Sequence, residues 1–202
     1  MAIKMVLASK NVHKAKEVQA IMGDEYEIIT QDKTTAADID VIEDGTTFEE
    51  NAIKKAVSIM EATGMLTVAD DSGLCVDALD GKPGVYTARY AGENATDDEN
   101  ITKLLGALEG VAEEGRGAAF VSVIALASPT EGVKTFRGEC RGRILTEKHG
   151  ENGFGYDPIF YYPPLGKTTA ELDPEEKNQV SHRANALKLF YEKMKEAGYA
   201  DK

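Results

Sequence analysis

Basic residues, cysteine, histidine and long apolar runs are all scarce in this sequence, and each shortage removes a class of function. Lysine and arginine number 23 against 35 aspartates and glutamates, giving a net charge of −12. Proteins that bind nucleic acid or anionic membrane in bulk need an excess of cations, so neither partner is expected. A small anionic ligand stays compatible, provided its site gathers local cations or metal against the field of the whole molecule. Cys75 and Cys140 are the only cysteines. They lack metal-type spacing, and two thiols in a chain this size suit a reducing compartment. A small apolar core residue is a better reading of Cys75 than a nucleophile. With only His13, His149 and His182 there is no histidine cluster for zinc, and no Ser-His-Asp triad can be read from spacing. The longest apolar stretch, 118–127, is too short to span a bilayer and is β-branched enough for a buried strand. Residues 1–8 form a strand-length apolar run rather than a basic region followed by a long apolar one, so no export signal is expected. A cytoplasmic protein follows from these absences. Asn94-Ala95-Thr96 matches a glycosylation acceptor, which has no consequence in that compartment. Internal repeats, low-complexity tracts and linkers are also lacking, and the length suits one domain, or one domain with two lobes.

What is present is an alternation of strand and helix patterns. Residues 3–8 read as a strand. A turn at 9–11 leads into a helix with Val12, Ala15, Val18 and Met22 near helical spacing, ended by Gly23. A short strand at 26–30 and a polar, acidic loop at 31–45 follow. Thr47 and Glu50 form a capping box for a helix with an inner stripe of Phe48, Ala52, Ala56 and Met60, stopped by Gly64. Residues 66–69 predict a buried strand, and the Gly-, Pro- and Tyr-rich 73–91 predicts strand fragments and loops. Thr96 and Glu99 make a second capping box, ahead of Ile101, Leu104, Leu105 and Leu108 at helical spacing. Residues 120–127 and 133–139 predict a hairpin, with 141–145 extending the sheet. A glycine-rich loop at 150–158 precedes apolar 159–162. Asp173-Pro174 opens a short helical turn. Ser181 starts a last helix with Leu187, Phe190, Tyr191 and Met194 inward, and the tail 197–202 is expected to fray. This order predicts an α/β fold with a mixed sheet.

Several segments suit chemistry. Ala69-Asp70-Asp71-Ser72-Gly73 places two carboxylates at the end of an apolar run. Magnesium takes oxygen ligands and keeps several waters, so one or two carboxylates suffice. If a strand ran through both aspartates, they would point to opposite faces; Asp71 is then taken as the site residue, with Glu43 as a second ligand. The same residues equally suit a strand-to-turn junction. Ser9, Asn11 and Lys14 surround a helix start, where N–H groups and the dipole favour an anion; plain capping with a solvated Lys14 is the alternative. Lys55, one turn beyond Asn51, is open in the same way. Phe154-Gly155-Tyr156-Asp157 offers a ring for a base and a carboxylate for a ring N–H, or an ordinary turn. His182 and Arg183 stand where a helix start is already partly positive, which fits an anionic or carbonyl partner, or a solvated first turn. Gly166-Lys167-Thr168 looks like the end of a phosphate loop, but Tyr161 stands where its first glycine would fall, so it reads as a loop.

In their order and spacing, six segments resemble the inosine triphosphate pyrophosphatase family nearly end to end. They are Ser9-Lys10-Asn11-Val12-His13-Lys14, Phe48-Glu49-Glu50-Asn51-Ala52, Ala69-Asp70-Asp71-Ser72-Gly73-Leu74, Pro83-Gly84-Val85-Tyr86-Thr87-Ala88-Arg89-Tyr90, Gly153-Phe154-Gly155-Tyr156-Asp157-Pro158 and Ser181-His182-Arg183. The resemblance implies an elongated α/β fold, with a mixed twisted sheet flanked by helices and two lobes around a central cleft. It also implies a homodimer, Mg²⁺ dependence, and hydrolysis of dITP, ITP and XTP to the monophosphate and pyrophosphate. By position it makes Asp71 the catalytic acid–base residue, and Glu43 and Asp71 the metal carboxylates. Ser9, Asn11, Lys14, Lys55 and Ser72 become triphosphate or ribose contacts, with Lys10, Val12 and His13 in the same substrate loop. Phe154, Asp157, Lys177, His182 and Arg183 become the base and nucleotide pocket, with Gly155 and Tyr156 beside them. Lys10 stands where a small residue is common, and His13 where glycine is. The rival readings are a nucleotide sensor without hydrolysis and a pyrophosphatase for modified pyrimidine or guanine nucleotides.

Overall fold

The computed structural model describes residues 2–196. In chain order the elements are β1 (Ile3–Leu7), α1 (Val12–Met22), β2 (Tyr26–Thr30), α2 (Phe48–Thr63), β3 (Thr67–Val76), α3 (Asp97–Ala107), β4 (Gly117–Ser128), β5 (Gly132–Ile144), β6 (Phe160–Tyr162), β7 (Lys167–Thr168), α4 (Pro174–Val180) and α5 (His182–Glu196). The strands form one sheet in the order β2-β1-β3-β4-β5-β6-β7. β1 runs parallel to β2 and β3, whereas β6 is antiparallel to β5 and β7. The expected mixed α/β sheet is therefore present.

Local chemistry sets the helix starts. Thr47 accepts from the Glu50 N–H at 3.1 Å, and the Glu50 carboxylate accepts from the Thr47 N–H, so α2 opens with both bonds of a capping box. Thr96 and Glu99 do the same for α3, and Asp173 with Glu176 for α4, where Pro174 occupies the first turn. β4 is buried along nearly its whole length, as a continuous apolar run in a central strand should be. β5 alternates, with Phe136, Gly138 and Cys140 inward and Arg137, Glu139 and Arg141 outward.

Several expectations change. β3 does not stop at Ala69 but continues to Val76, because ladder pairing and the inward Leu74 and Val76 override the turn preference of Asp-Asp-Ser-Gly. β5 is one strand rather than two. Gly142 carries it through, since a Cβ there would collide with the carbonyl oxygen of Tyr161 on the neighbouring strand. Lys167 and Thr168 form the short edge strand β7, not a loop. Ile59, rather than Met60, completes the buried stripe of α2. The tail 197–202 lies outside the described residues.

The chain divides into two compact units. One comprises residues up to Asp71, Ser122–Gly138 and the chain from Arg183 onward; the other comprises Ser72–Val121 and Glu139–His182. The first has a core of Met5, Leu7, Val18, Met22, Tyr26 and Val68 packed with Ile124, Leu126, Phe136 and the Ala186, Leu187, Phe190 and Met194 face of α5. In the second, Leu74 and Val76 pack with Ile101 and Leu104 of α3, with Leu108 just after it, and with Phe120, Ile144, Tyr156, Ile159 and Phe160.

Candidate active site

Consecutive side chains of a strand alternate between faces, and β3 carries its two carboxylates into different surroundings. The Asp70 side chain is 2% exposed. It accepts from Ser122 Oγ at 2.7 Å and from Arg183 Nη2 and Nε at 3.1 and 3.3 Å, and it pairs with Lys14 Nζ at 2.8 Å. Burial alone would raise its pKa. The charges of Arg183 and Lys14, helped by hydrogen bonds from Lys14 and Ser122, outweigh burial and hold the carboxyl well below its ordinary range. Arg183, also buried, reaches Glu17 through Nη1 at 2.5 Å. Lys14 and Glu17 sit three residues apart on α1, hence on one face. Together they complete a chain of alternating charge, Glu17–Arg183–Asp70–Lys14.

Asp71 is 14% exposed. Lys55 Nζ lies 3.7 Å from its Oδ1 and 2.8 Å from Glu43 Oε2, and donates to the Asp70 carbonyl at 2.9 Å. Asn51, one turn before Lys55 on α2, hydrogen-bonds the Asp71 carboxylate while its Oδ1 accepts from the Gly45 N–H at 2.8 Å. Burial pushes the Asp71 pKa up to about 6; the negative charges of Glu43 and Asp70 add to the rise, and Lys55 and Asn51 oppose it. Asp71 Oδ2 is buried with no hydrogen-bond partner among the described residues. A buried, unpaired carboxylate oxygen in the company of Glu43 fits a hard cation, which takes oxygen ligands and completes its shell with water. Among the described residues no group of three or more His, Cys, Asp or Glu is clustered to hold a metal. Asp71 and Glu43 are the carboxylates that could hold one.

A pocket of about 250 Å³ gathers Ser9, Lys10, Lys14, Glu43, Lys55 and Asp70 in its wall. Of the adjacent aspartates it is Asp70 that borders this pocket, and Asp71 joins it through Lys55. At the start of α1, Ser9 Oγ accepts from the Asn11 N–H at 3.1 Å and Asn11 Oδ1 from the Lys14 N–H at 3.2 Å. The capping reading is thus satisfied in the same turn that contributes Lys14 to the pocket. Val12 is exposed, and the side chain of His13 lies outside the described residues. Ser72, half-buried, follows Asp71 on β3. Gln31 was missed at the level of sequence. Its amide donates to the Ala36 and Ile39 carbonyls at 2.9 and 2.7 Å and so anchors the loop that leads to Glu43. Ser122 and Glu17 were missed as well, although each left a trace: a hydroxyl inside an apolar run, and a carboxylate one turn after Lys14.

In the second unit Asp157 is the centre of a loop cluster. Its buried carboxylate accepts from the Phe154 N–H at 2.9 Å, Lys177 Nζ at 2.6 Å and Thr169 Oγ1 at 2.9 Å. Lys177 also lies 4.8 Å from the centroid of the Phe154 ring, which is 58% exposed. Gly153 has φ +80°, and a Cβ on it would collide with the Asp157 carboxylate, so glycine is required there. The Gly155 N–H donates to Asp97 at 2.7 Å. Tyr156 is a buried plug with its hydroxyl on the Thr87 carbonyl at 2.9 Å, and burial pushes its pKa upward. The His182 ring stacks on Phe120, centroids 5.0 Å apart. Phe154, Gly155, Tyr156, Asp157 and Lys177, part of the group that the resemblance assigned to the base pocket, thus lie together, whereas Arg183 of the same group pairs with Asp70 and Glu17; Thr169 joins the loop cluster without having carried any signal.

The Ham1 family model matches residues 5–193. The chain is 50% identical over 191 residues to the dITP/XTP pyrophosphatase of Desulforamulus reducens, covering 94% of each chain. To that of Vibrio parahaemolyticus it is 49% identical, covering 93% of this chain and 94% of the relative. Among solved structures it is similar to the Staphylococcus aureus Ham1 protein, with 46% identity, a TM-score of 0.90, and coverage of 96% of this chain and 99% of that one. A HAM1 protein from Coxiella burnetii gives 45% identity and a TM-score of 0.89 at the same coverage. With likeness of this degree along nearly its whole length, the chain belongs to the Ham1 family.

Proposed function

We propose that this chain hydrolyses non-standard purine nucleoside triphosphates (dITP, ITP and XTP) to the monophosphate and pyrophosphate, keeping such purines out of DNA and RNA. One observation carries the reading. In a Ham1 chain with curated relatives named dITP/XTP pyrophosphatase, Lys14 and Lys55 border one pocket and are braced there by Asp70 and Glu43. In a protein of net charge −12, lysines set among Asp40, Glu43 and Asp70 in one pocket wall suit a polyphosphate that binds together with a divalent cation.

Water attacks the α-phosphorus, the bond to the α–β bridging oxygen breaks, and pyrophosphate leaves with the electron pair. Asp71 orients or deprotonates the water. Lys14 and Lys55 stabilise charge on the leaving pyrophosphate, which is the positional and electrostatic help that phosphoryl transfer needs. Ser9 and Asn11 contact phosphate or ribose around the start of α1, with Lys10, Val12 and His13 in the same substrate loop, and Ser72 contacts phosphate or ribose. Asp71 and Glu43 hold Mg²⁺, which when bound offsets negative charge on the phosphates.

Phe154 stacks on the base, and Asp157, steadied by Lys177 and the Gly155-Tyr156 turn, accepts from a ring N–H. His182 and Arg183 donate to the 6-oxo group of hypoxanthine and xanthine. Adenine carries a 6-amino donor in its place, and the buried groups left unpaired allow discrimination of roughly 10⁴-fold. The chain acts as a cytoplasmic homodimer; two cysteines not joined in a disulfide suit a reducing compartment, and light scattering during gel filtration tests the dimer. No helix among the described residues is long and apolar enough to cross a membrane.

The deciding experiment measures pyrophosphate release from dITP, ITP, XTP, dATP, dGTP and dUTP, with and without Mg²⁺. Mg²⁺-dependent release confined to the first three is expected. Absence of release from dITP, or equal rates on all six, would overturn the proposal.

A further inference from the structure

A guanidinium carries its N–H donors in a rigid planar fork, so whatever fixes two sides of the fork fixes the direction of every N–H bond on it. In this protein one side is fixed by Asp70, which takes both Nε and Nη2 of Arg183. The other is fixed by Glu17, which takes Nη1 at 2.5 Å. Glu17 reaches the proposed site only through Arg183, and it does not line the lysine pocket. It is nevertheless tied to that pocket through α1, because Lys14 sits one turn before it and pairs with Oδ2 of Asp70, the same oxygen that takes Arg183.

We infer that Glu17 is a positioning residue for base selection. By holding Nη1 it keeps the Arg183 fork from turning wholly toward Asp70, and so keeps the donor geometry with which Arg183 tests the sixth position of the purine. The inference rests on the reading of Arg183 given above and goes beyond it. The physical reason lies in competition for charge. Asp70 is shared by two cations, Arg183 and Lys14. When a phosphate draws on Lys14, Asp70 pulls harder on Arg183, and a carboxylate on the opposite edge of the fork resists that pull. Without Glu17 the state of the phosphate end would set the angle of the base-reading group.

The test compares kcat/KM for dITP and dATP in the wild type, Glu17→Gln and Glu17→Asp, with urea unfolding of each. Glu17→Gln keeps the shape and removes the charge. Its kcat/KM for dITP should fall about 10-fold, the size of one lost charge-assisted hydrogen bond, while that for dATP changes by less than about 2-fold. Glu17→Asp keeps the charge on a shorter arm and should restore part of the dITP/dATP ratio; should Glu17→Gln fail to fold, it carries the test alone with a smaller drop in the same ratio. A wild type that prefers dITP together with variants of unchanged ratio, whether or not both rates fall, would make Glu17 merely structural and overturn the inference alone. A wild type with no preference for dITP would sink the base-reading assignment, and this inference with it.

Discussion

Asp70 and Asp71 are neighbours on one strand and differ in almost everything a carboxylate can experience. Asp70 is buried but matched by Arg183, Lys14 and Ser122. Asp71 is half-buried, with one buried oxygen unmatched and a pKa pushed up to about 6. An unsatisfied buried group costs stability and is characteristic of a position kept for chemistry. Substituting each aspartate by its amide should therefore give opposite outcomes. Asp70→Asn leaves a buried guanidinium short of its counter-charge, and urea unfolding should show a loss of about 3 kcal/mol. Asp71→Asn should leave the urea midpoint almost unmoved while turnover of dITP falls by about 10² to 10⁴-fold, the share of a positioned acid–base group. Near wild-type turnover in Asp71→Asn would remove that residue from the reaction.

At the scale of elements, the helices depend on their first turns. Glu50 and Glu99 accept backbone N–H bonds from Thr46 and Thr96, and Glu171 caps a 3₁₀ turn through Thr168. These backbone bonds hold all three carboxyls below their ordinary values. A group with a depressed folded pKa contributes stability above its unfolded pKa and loses it as pH falls through the folded value. Glu50→Gln should accordingly lower Tm relative to the wild type at neutral pH, with the gap closing in acid, once the wild-type carboxyl is protonated as well. A gap of the same size at both pH values would mean that the cap works through shape alone. α2 needs this firm start for a further reason. Its first two turns carry Asn51 and Lys55, which between them contact Asp71, Glu43 and the Asp70 carbonyl.

On the scale of the whole molecule, each compact unit has its own apolar core, and the chemistry divides with it. The first unit holds the lysine pocket and the Glu17–Arg183–Asp70–Lys14 chain; the second holds the Asp157 cluster. Cys140 lies in the second core, where burial pushes its thiol up to about 11. Reaction with N-ethylmaleimide at about pH 8 should therefore spare Cys140 in the native protein and modify it in urea, as read by mass spectrometry, because the thiolate is the reactive form. Native-state labelling of Cys140 would show that this core opens readily.

Helix caps, the alternation of helices and strands, the mixed sheet and the order of the family segments were all legible in the sequence, because each depends on residues close together along the chain. Thr47 with Glu50, or Asp173 with Pro174, needs no distant partner to be recognised. The extension of β3 through Asp70-Asp71-Ser72-Gly73 was not legible, since those residues prefer turns and only pairing with neighbouring strands overrules them. The partition of labour between the two aspartates likewise waited for the fold. Arg183 stands 113 positions from Asp70 and 166 from Glu17, so nothing in local spacing joins them. Charge and composition determined that a phosphate site had to gather its own cations; tertiary packing decided which carboxylates those cations would answer to.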